Sequence, residues 1–157
     1  MFRAFLIVLL TFAFASCTEK GKIMDQMVEI PNAKWSYEQI PQFPFSIDNA
    51  GVTYTFALKL RIQKTYPFEN LYLLSHIRQP SGKITTVRHN FTLTDDMGRP
   101  LGKSSGNSID YEIPMLVNRK MEGVGQYSIA LEQNLRDSVV LGVESIGVKI
   151  KEGTPVF

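Results

Sequence analysis

The sequence contains very few residues of the types that form disulfides, zinc sites or histidine-based active sites. It has one cysteine, Cys17, and two histidines, His76 and His89, among 157 residues. A lone cysteine excludes an intramolecular disulfide, and a zinc site needs three or four converging N, S or O ligands. We therefore predict no metal and no cofactor, and we expect each histidine to be a hydrogen-bonded residue of a β-strand.

Clusters of one charge are also missing. The chain has 17 Lys and Arg against 15 Asp and Glu, a formal net charge of +2, and basic residues never occur more than two in a row. Proteins that bind nucleic acids gather Lys and Arg into a patch that faces the phosphates. Nucleic acid is therefore not an expected partner. Because the phosphate-loop, dinucleotide and serine-hydrolase motifs are absent, no small-molecule substrate is expected either.

The longest apolar run of the chain lies at its N-terminus. Residues 4–15 read AFLIVLLTFAFA and follow Arg3. This run is too short for a membrane-spanning helix, which needs about 20 apolar residues, and it has the length of the hydrophobic part of a secretory signal. We predict a signal peptide over residues 1–16.

Cys17 directly follows this run, and its surroundings resemble the lipobox of bacterial lipoproteins. The small residues Ala15 and Ser16 precede the cysteine, although Phe14 stands where leucine is usual. Lipid attachment at Cys17 would explain why an exported protein carries an unpaired thiol. The alternative is an ordinary secretory signal that leaves a free thiol. Because Thr18 rather than aspartate follows the cysteine, we expect an anchor in the outer membrane, with its periplasmic or surface side left open.

The mature chain is predicted to fold as one domain behind a short tether. Residues 17–33 are polar and show no clear periodicity, so we expect a lipidated N-terminus and a flexible tether there. The folded domain is expected over residues 34–157.

From residue 52 onwards, apolar and polar residues alternate with the period of two that is typical of β-strands with one buried face. Strands are predicted over residues 52–62, 70–78, 84–94, 109–113, 126–135 and 139–150. We expect the first two to form a hairpin and the fourth to end at Pro114. The pattern predicts a single-domain, all-β protein, an antiparallel β-sandwich of the jelly-roll or immunoglobulin-like type.

Four aromatic residues precede the first clear strand, namely Trp35, Tyr37, Phe43 and Phe45. Two interpretations are open. The rings either plug one end of the sandwich core, or they form a platform that stacks against carbohydrate or a partner protein.

Two further segments are candidate sites. Asp95 and Asp96 could serve as a carboxylate pair or as calcium ligands, but Gly98 follows closely and favours a hairpin turn in which an aspartate oxygen caps the backbone. Ser138 lies in the sequence Asp-Ser-Val, which resembles the short motif that carries O-linked glycans on envelope proteins of the Bacteroidota. We predict it as a candidate O-glycosylation site.

Several motifs in a fixed order carry a family resemblance. They are Trp35 after an Ile-Pro segment, Leu60-Arg61, Tyr66-Pro67-Phe68-Glu69-Asn70-Leu71, Leu93-Thr94-Asp95 with Gly98 and Gly102, Gly125-Gln126-Tyr127, Gln133-Asn134-Leu135-Arg136, and Val143-Glu144-Ser145-Ile146-Gly147-Val148. With the lipobox before them, these motifs resemble those of the gliding-motility-associated lipoproteins of the GldH type. The resemblance covers nearly the whole mature chain.

This resemblance implies a non-enzymatic lipoprotein of the outer membrane. It implies a structural or accessory role in gliding, in which surface adhesins are driven along the cell, and in the linked type IX secretion system. The implied partners are the membrane, through the lipid, and other envelope motility or secretion proteins. One alternative is a surface glycan-binding lipoprotein. A lipid-anchored hydrolase would need carboxylates or a Ser-His pair that the sequence does not place together.

Overall fold

Two antiparallel sheets pack face to face in the computed structural model, which describes residues 21–155. The strands are β1 (Lys22–Glu29), β2 (Lys34–Ser36), β3 (Gln42–Ile47), β4 (Val52–Gln63), β5 (Asn70–Arg78), β6 (Ile84–Thr92), β7 (Lys103–Ser105), β8 (Ser108–Lys120), β9 (Gly125–Gln133), β10 (Val139–Leu141) and β11 (Val143–Pro155). One sheet has the order β1-β11-β4-β8-β7 and the other β3-β9-β5-β6, while β10 and β2 form a two-stranded ribbon. The predicted all-β antiparallel sandwich is confirmed.

The apolar side of β4 lies at the centre of the core between the two sheets. Tyr54, Phe56 and Leu58 are completely buried there, and Leu60 and Ile62 are almost completely buried. The facing sheet contributes the buried residues Phe43, Phe45, Leu71, Leu73, Ile77, Ile129 and Leu131. Each fully buried side chain of this size stabilises the fold by about 1.5–3 kcal/mol. The buried face predicted from the alternation of residues 52–62 is therefore confirmed.

Large residues with a polar atom are buried only where that atom has a partner. The indole N–H of Trp35 donates to the carbonyl of Gln39 at 2.8 Å, and the hydroxyl of Tyr111 donates to the carbonyl of Leu93 at 3.0 Å. Within residues 21–155, no buried side-chain nitrogen or oxygen lacks a hydrogen-bond partner. The aromatic rings therefore enter the core without the cost of an unpaired polar group. No helix in this part of the chain is long and apolar enough to cross a bilayer.

The expected hairpin between residues 52–62 and 70–78 is wrong. β4 pairs with β11 and β8, whereas β5 pairs with β6 and β9 in the other sheet. Each of these strands has a row of apolar side chains, and the two rows bury each other only when the strands lie in different sheets. The loop of residues 64–69 therefore crosses the gap of about 10 Å that separates packed sheets.

β8 does not end at Pro114 as predicted but continues to Lys120. Proline cannot donate a backbone hydrogen bond, so in a sheet it is confined to edge strands and bulges. β7 pairs only with residues 108–110 of β8, and the register between β8 and β4 shifts next to Pro114 as in a β-bulge. Both conditions are met at this position, which explains why the strand passes through the proline.

The predicted tether is too long, because residues 22–29 form β1 and pair with β11 along their length. Met24 is the only buried residue of this strand. An edge strand with so little buried surface shows no clear alternation in its sequence, and its place depends on backbone hydrogen bonds to a strand more than a hundred residues away. The folded domain therefore includes β1 rather than starting at residue 34. Residues 17–20 lie outside the described part of the chain.

Gly147→Ala is expected to destabilise the attachment of β1. Gly147 lies opposite Met27 in the register, and a Cβ added to it would lie 2.7 Å from Met27 Cα, closer than real Cβ contacts. We expect the free energy of unfolding, measured by urea denaturation, to fall by about 1–3 kcal/mol. Gly123→Ala is the matched control, because nothing lies within 4 Å of its added Cβ, and we expect a change within about 0.5 kcal/mol. Equal losses in the two variants would contradict the close packing of β1 on β11.

Candidate docking surface and predicted site residues

The outer side of the five-stranded sheet carries three ion pairs that run across its strands. We call their six residues the ionic face: Asp25, Lys59, Arg61, Asp110, Glu112 and Lys149. The Arg61 guanidinium donates two hydrogen bonds to the Asp110 carboxylate, at 2.7 and 2.9 Å, and this raises the pKa of Arg61. A two-bond pair of this kind holds both side chains in one orientation.

The other two pairs each reach over an intervening strand. Lys59 Nζ on β4 lies 2.5 Å from the Asp25 carboxylate on β1, with β11 between them. Lys149 Nζ on β11 lies 3.2 Å from the Glu112 carboxylate on β8, with β4 between them. On the strand that lies between the two partners, the residue opposite each lysine is small. It is Gly147 for Lys59 and Ala57 for Lys149. These small residues leave room for the long side chains to lie flat across the sheet.

A groove of about 780 Å³ runs over the ionic face. Four of the six ionic-face residues line it, together with Lys103 and the exposed apolar side chains of Met27 and Leu101. Protein-binding surfaces combine apolar contacts with a surrounding rim of polar groups. The groove has this composition, and it is the candidate docking surface of the domain.

Both histidines are hydrogen-bonded strand residues, as predicted. His76 contacts the Thr86 hydroxyl through Nδ1 at 2.9 Å and the Glu132 carboxylate through Nε2 at 2.8 Å. His89 Nε2 lies 2.8 Å from the Ser75 hydroxyl, and burial lowers the pKa of His89 below its ordinary value. Within residues 21–155, no three His, Cys, Asp or Glu side chains come together in a way that could hold a metal ion.

Asp95 shapes a turn, in agreement with the interpretation that its sequence favours. Its carboxylate accepts hydrogen bonds from the backbone N–H groups of Met97 and Arg99, at 3.0 and 2.9 Å, and from the Arg99 side chain at 2.7 Å. The backbone hydrogen bond from Arg99 is the main cause that lowers the pKa of Asp95. Gly98 has a φ of 74°, which glycine adopts without strain. The neighbouring Asp96 is exposed and lines a pocket of about 460 Å³ together with Asp95 and Glu69. Within residues 21–155, however, no three such side chains come together in a way that could hold a metal ion.

Three of the four aromatic residues before β4 lie in the core. Trp35, Phe43 and Phe45 are buried, whereas Tyr37 is 51% exposed. The interpretation as a core plug is therefore confirmed for three rings and wrong for the fourth. Tyr37 follows β2, at the ribbon whose other strand also exposes the apolar residues Val139 and Leu141.

The structure describes only one of the two predicted modification sites. Ser138 is exposed and lies between β9 and β10, where its carbonyl accepts a hydrogen bond from the Tyr37 N–H at 3.0 Å. An exposed loop serine can carry a glycan without disturbing the core, but its glycosylation stays a prediction. Cys17 lies outside the described residues, so its lipid attachment stays a prediction as well.

Comparison with known proteins places this sandwich in a family. The profile of the GldH lipoprotein family matches residues 22–150, from the first residue of β1 into β11. The chain belongs to the GldH lipoprotein family. The "Gliding motility lipoprotein GldH homolog" of Christiangramia forsetii is 22% identical to it over 96% of both chains. The "Gliding motility lipoprotein GldH" of Flavobacterium johnsoniae is 23% identical over 94% of both chains. No solved structure matches the chain.

The ionic face of this family member is a feature that the sequence alone did not reveal. The sequence does contain a pattern that is typical of ion pairs between strands. Two basic residues, Lys59 and Arg61, lie two positions apart on one strand, and two acidic residues, Asp110 and Glu112, lie two positions apart on another. Side chains with that spacing share a face of a strand, and opposite charges on adjacent strands attract. This pattern predicts ion pairs only once β4 and β8 are known to be neighbours. The sequence does not show that they are, because the two strands lie far apart along the chain.

Asp95→Ala is expected to loosen the β6–β7 turn of this domain, because it removes the acceptor for two backbone N–H groups. We expect faster hydrogen exchange at Met97 and Arg99, measured by NMR at neutral pH. In the unchanged chain the same protection should be lost on acidification through the lowered pKa of Asp95, since the stabilising form is the carboxylate.

Asp96→Ala removes an adjacent exposed carboxylate and is the matched control, with no expected change in exchange. Equal acceleration in both variants would show that the turn depends on local charge rather than on the hydrogen bonds of Asp95.

Proposed function

We propose that this GldH family member is a non-enzymatic lipoprotein, anchored in the outer membrane, that serves as a structural or accessory subunit of the envelope machinery for gliding motility and type IX secretion. The observation that carries the proposal is the family match over residues 22–150, together with the gliding motility named for both relatives. Its partners are other proteins of that machinery.

The hydrogen bonds and the burial around the two histidines and Asp95 support a non-enzymatic role. His76 is engaged through both ring nitrogens, and the Asp95 carboxylate is used by the backbone of its own turn. The structure does bring Ser75 and His89 together as a Ser-His pair, at 2.8 Å, but Ser75 is completely buried and out of reach of a substrate. A general acid or base must present its proton or lone pair to a substrate. These side chains instead present them to the fold.

The ionic face and its groove are the part of the domain that we propose to bind the partner. The side chains there are held by ion pairs before any partner arrives, so little conformational entropy is lost on binding. Complementary charges at such a surface favour the correct orientation of the partner and reject wrong ones. This surface lies on rigid strands, which makes it suitable for a permanent place in an assembly.

The alternative of a glycan-binding lipoprotein gains no support from the aromatic side chains. A stacking platform needs two or more exposed rings in one pocket. Trp35 is buried, Tyr66 is largely covered, and the Tyr72 ring lies under the Arg88 guanidinium at 5.0 Å. Of Trp35, Tyr37, Tyr66 and Tyr72, only Tyr37 is exposed.

The intact mass of the protein from native membranes tests both proposed modifications. We expect the mass of residues 17–157 plus a diacylglycerol and a further acyl chain on Cys17, and Cys17→Ala should lose the lipid mass. If Ser138 is glycosylated, a hexose-scale increment should disappear in Ser138→Ala and remain in Ser81→Ala, a control at another exposed turn serine. A native mass equal to that of the bare chain would contradict both modifications.

Co-purification from detergent-solubilised envelopes tests the proposed role. We expect the lipidated protein to recover motility or secretion components, and Cys17→Ala to recover few of them and to impair motility. The charge exchange Arg61→Glu with Asp110→Arg keeps an ion pair but reverses its direction on the ionic face. We expect it to fold normally and to recover at least about tenfold less partner.

The matched control is the exchange Lys83→Glu with Glu122→Lys, which reverses an exposed ion pair away from the groove. It should recover partners like the unchanged protein. Normal recovery with the Arg61 and Asp110 exchange would refute the ionic face as the docking surface, and normal motility with Cys17→Ala would refute the anchored role.

A further inference from the structure

The two ends of the sandwich differ in charge. We call the end at which β1 begins, with the adjacent loops β3–β4, β5–β6 and β8–β9, the basal end. Six basic residues lie there: Lys22, Arg78, Lys83, Arg119, Lys120 and Lys151. The acidic residues of this end are Asp48, Glu122 and Glu152, so it carries an excess of three positive charges.

The strand register brings these basic residues together. Lys22 on β1 lies opposite Lys151 on β11, and Lys120 lies beside the first residues of β4. The ion pair between Lys83 and Glu122, at 3.0 Å, joins the β5–β6 loop to the β8–β9 loop. Both sheets therefore contribute positive charge to the same end of the domain.

The opposite, distal end is acidic. Its loops contain Glu38, Glu69, Asp95, Asp96 and Asp137, and acidic residues outnumber basic ones there. Although the whole chain is close to neutral, the domain thus has a positive pole where β1 begins and a negative pole where β1 ends.

The chain enters the domain at the positive pole. Gly21 is hydrogen-bonded to Glu152, its carbonyl accepting from the Glu152 N–H at 2.8 Å. Cys17 precedes Gly21 by four residues, and four residues span at most about 14 Å when fully extended. A lipid on Cys17, which is part of the proposed function, therefore keeps the basal end within that distance of the bilayer surface.

The basal end also exposes apolar side chains among its basic ones. Val117, on β8 just before Arg119 and Lys120, is 60% exposed, and Val124 in the β8–β9 loop is 62% exposed. Basic side chains next to exposed apolar ones suit the boundary of a bilayer, where phosphates and acyl chains lie close together.

We infer that the basal end binds the anionic phosphate headgroups of the bilayer in which the lipid of Cys17 is inserted. The lipid and the basic residues then act as two membrane signals from the same end of the chain. This contact sets the orientation of the domain. β4 has 12 residues, so the distal end stands about 40 Å above the membrane surface and presents the exposed Tyr37 and the ribbon to the surroundings.

Vesicle sedimentation of the mature chain with Cys17→Ser tests this inference without the contribution of the lipid. The vesicles consist of phosphatidylcholine alone or of equal parts of phosphatidylcholine and phosphatidylglycerol. We expect binding to the anionic vesicles that weakens as salt is added. Each basic residue near an anionic surface contributes about fivefold in affinity, so Lys22→Glu with Lys120→Glu should lower binding by tenfold or more.

The matched control is Lys34→Glu with Arg136→Glu, the same charge change at exposed residues of the distal end. These residues lie several screening lengths from the basal end, so binding should change less than about threefold. Equal losses in the two double variants would overturn the orientation. Binding no stronger to anionic than to neutral vesicles would overturn the inference altogether. Because Cys17 is already replaced, either failure is separate from a failure of lipid anchoring, which the intact mass reports.

Discussion

Burial of the apolar side of β4 is the constraint on which the rest of the structure depends. β4 lies in the middle of the five-stranded sheet, with β11 on one side and β8 on the other. Successive residues of a strand point to opposite faces, so a core that holds Tyr54 to Ile62 also determines which residues point outwards. A shift of one residue would bring Lys59 and Arg61 into the core without partners, which is prohibitive. The ionic face is thus specified by the same register as the core.

The ion pairs of that outer face contribute more to order than to stability. Exposed ion pairs are typically worth about 0–1 kcal/mol each, and all six side chains keep some contact with solvent. Their arrangement nevertheless connects β1, β11, β4 and β8 through pairs of opposite charges. The glycine and alanine that let the two lysines reach across the sheet therefore matter as much as the charged residues themselves.

The sequence was sufficient for features that depend on local pattern and insufficient for features that depend on pairing. The strands at residues 52–62 and 70–78 were readable because a buried face imposes a period of two on the side chains. The turn at Asp95 followed from the residue types, whereas the burial of Trp35 was one of two interpretations that the residue types left open. By contrast, β1 buries only Met24, and its partner β11 lies at the other end of the chain. No local pattern can reveal such a pair, nor can it reveal that β4 and β5 belong to different sheets.

The pairing of the first strand with the last also determines how the domain carries a mechanical load. In the anchored state that we propose, a load enters β1 at its N-terminal end, and a partner held elsewhere on the sandwich pulls in the other direction. β1 and β11 are antiparallel, and their hydrogen bonds lie perpendicular to the strands and therefore perpendicular to this pull. All hydrogen bonds between β1 and β11 then share the load in shear. The strand pair does not open one hydrogen bond at a time. A domain that is held through β1 can thus bear a pull along this strand without first losing it.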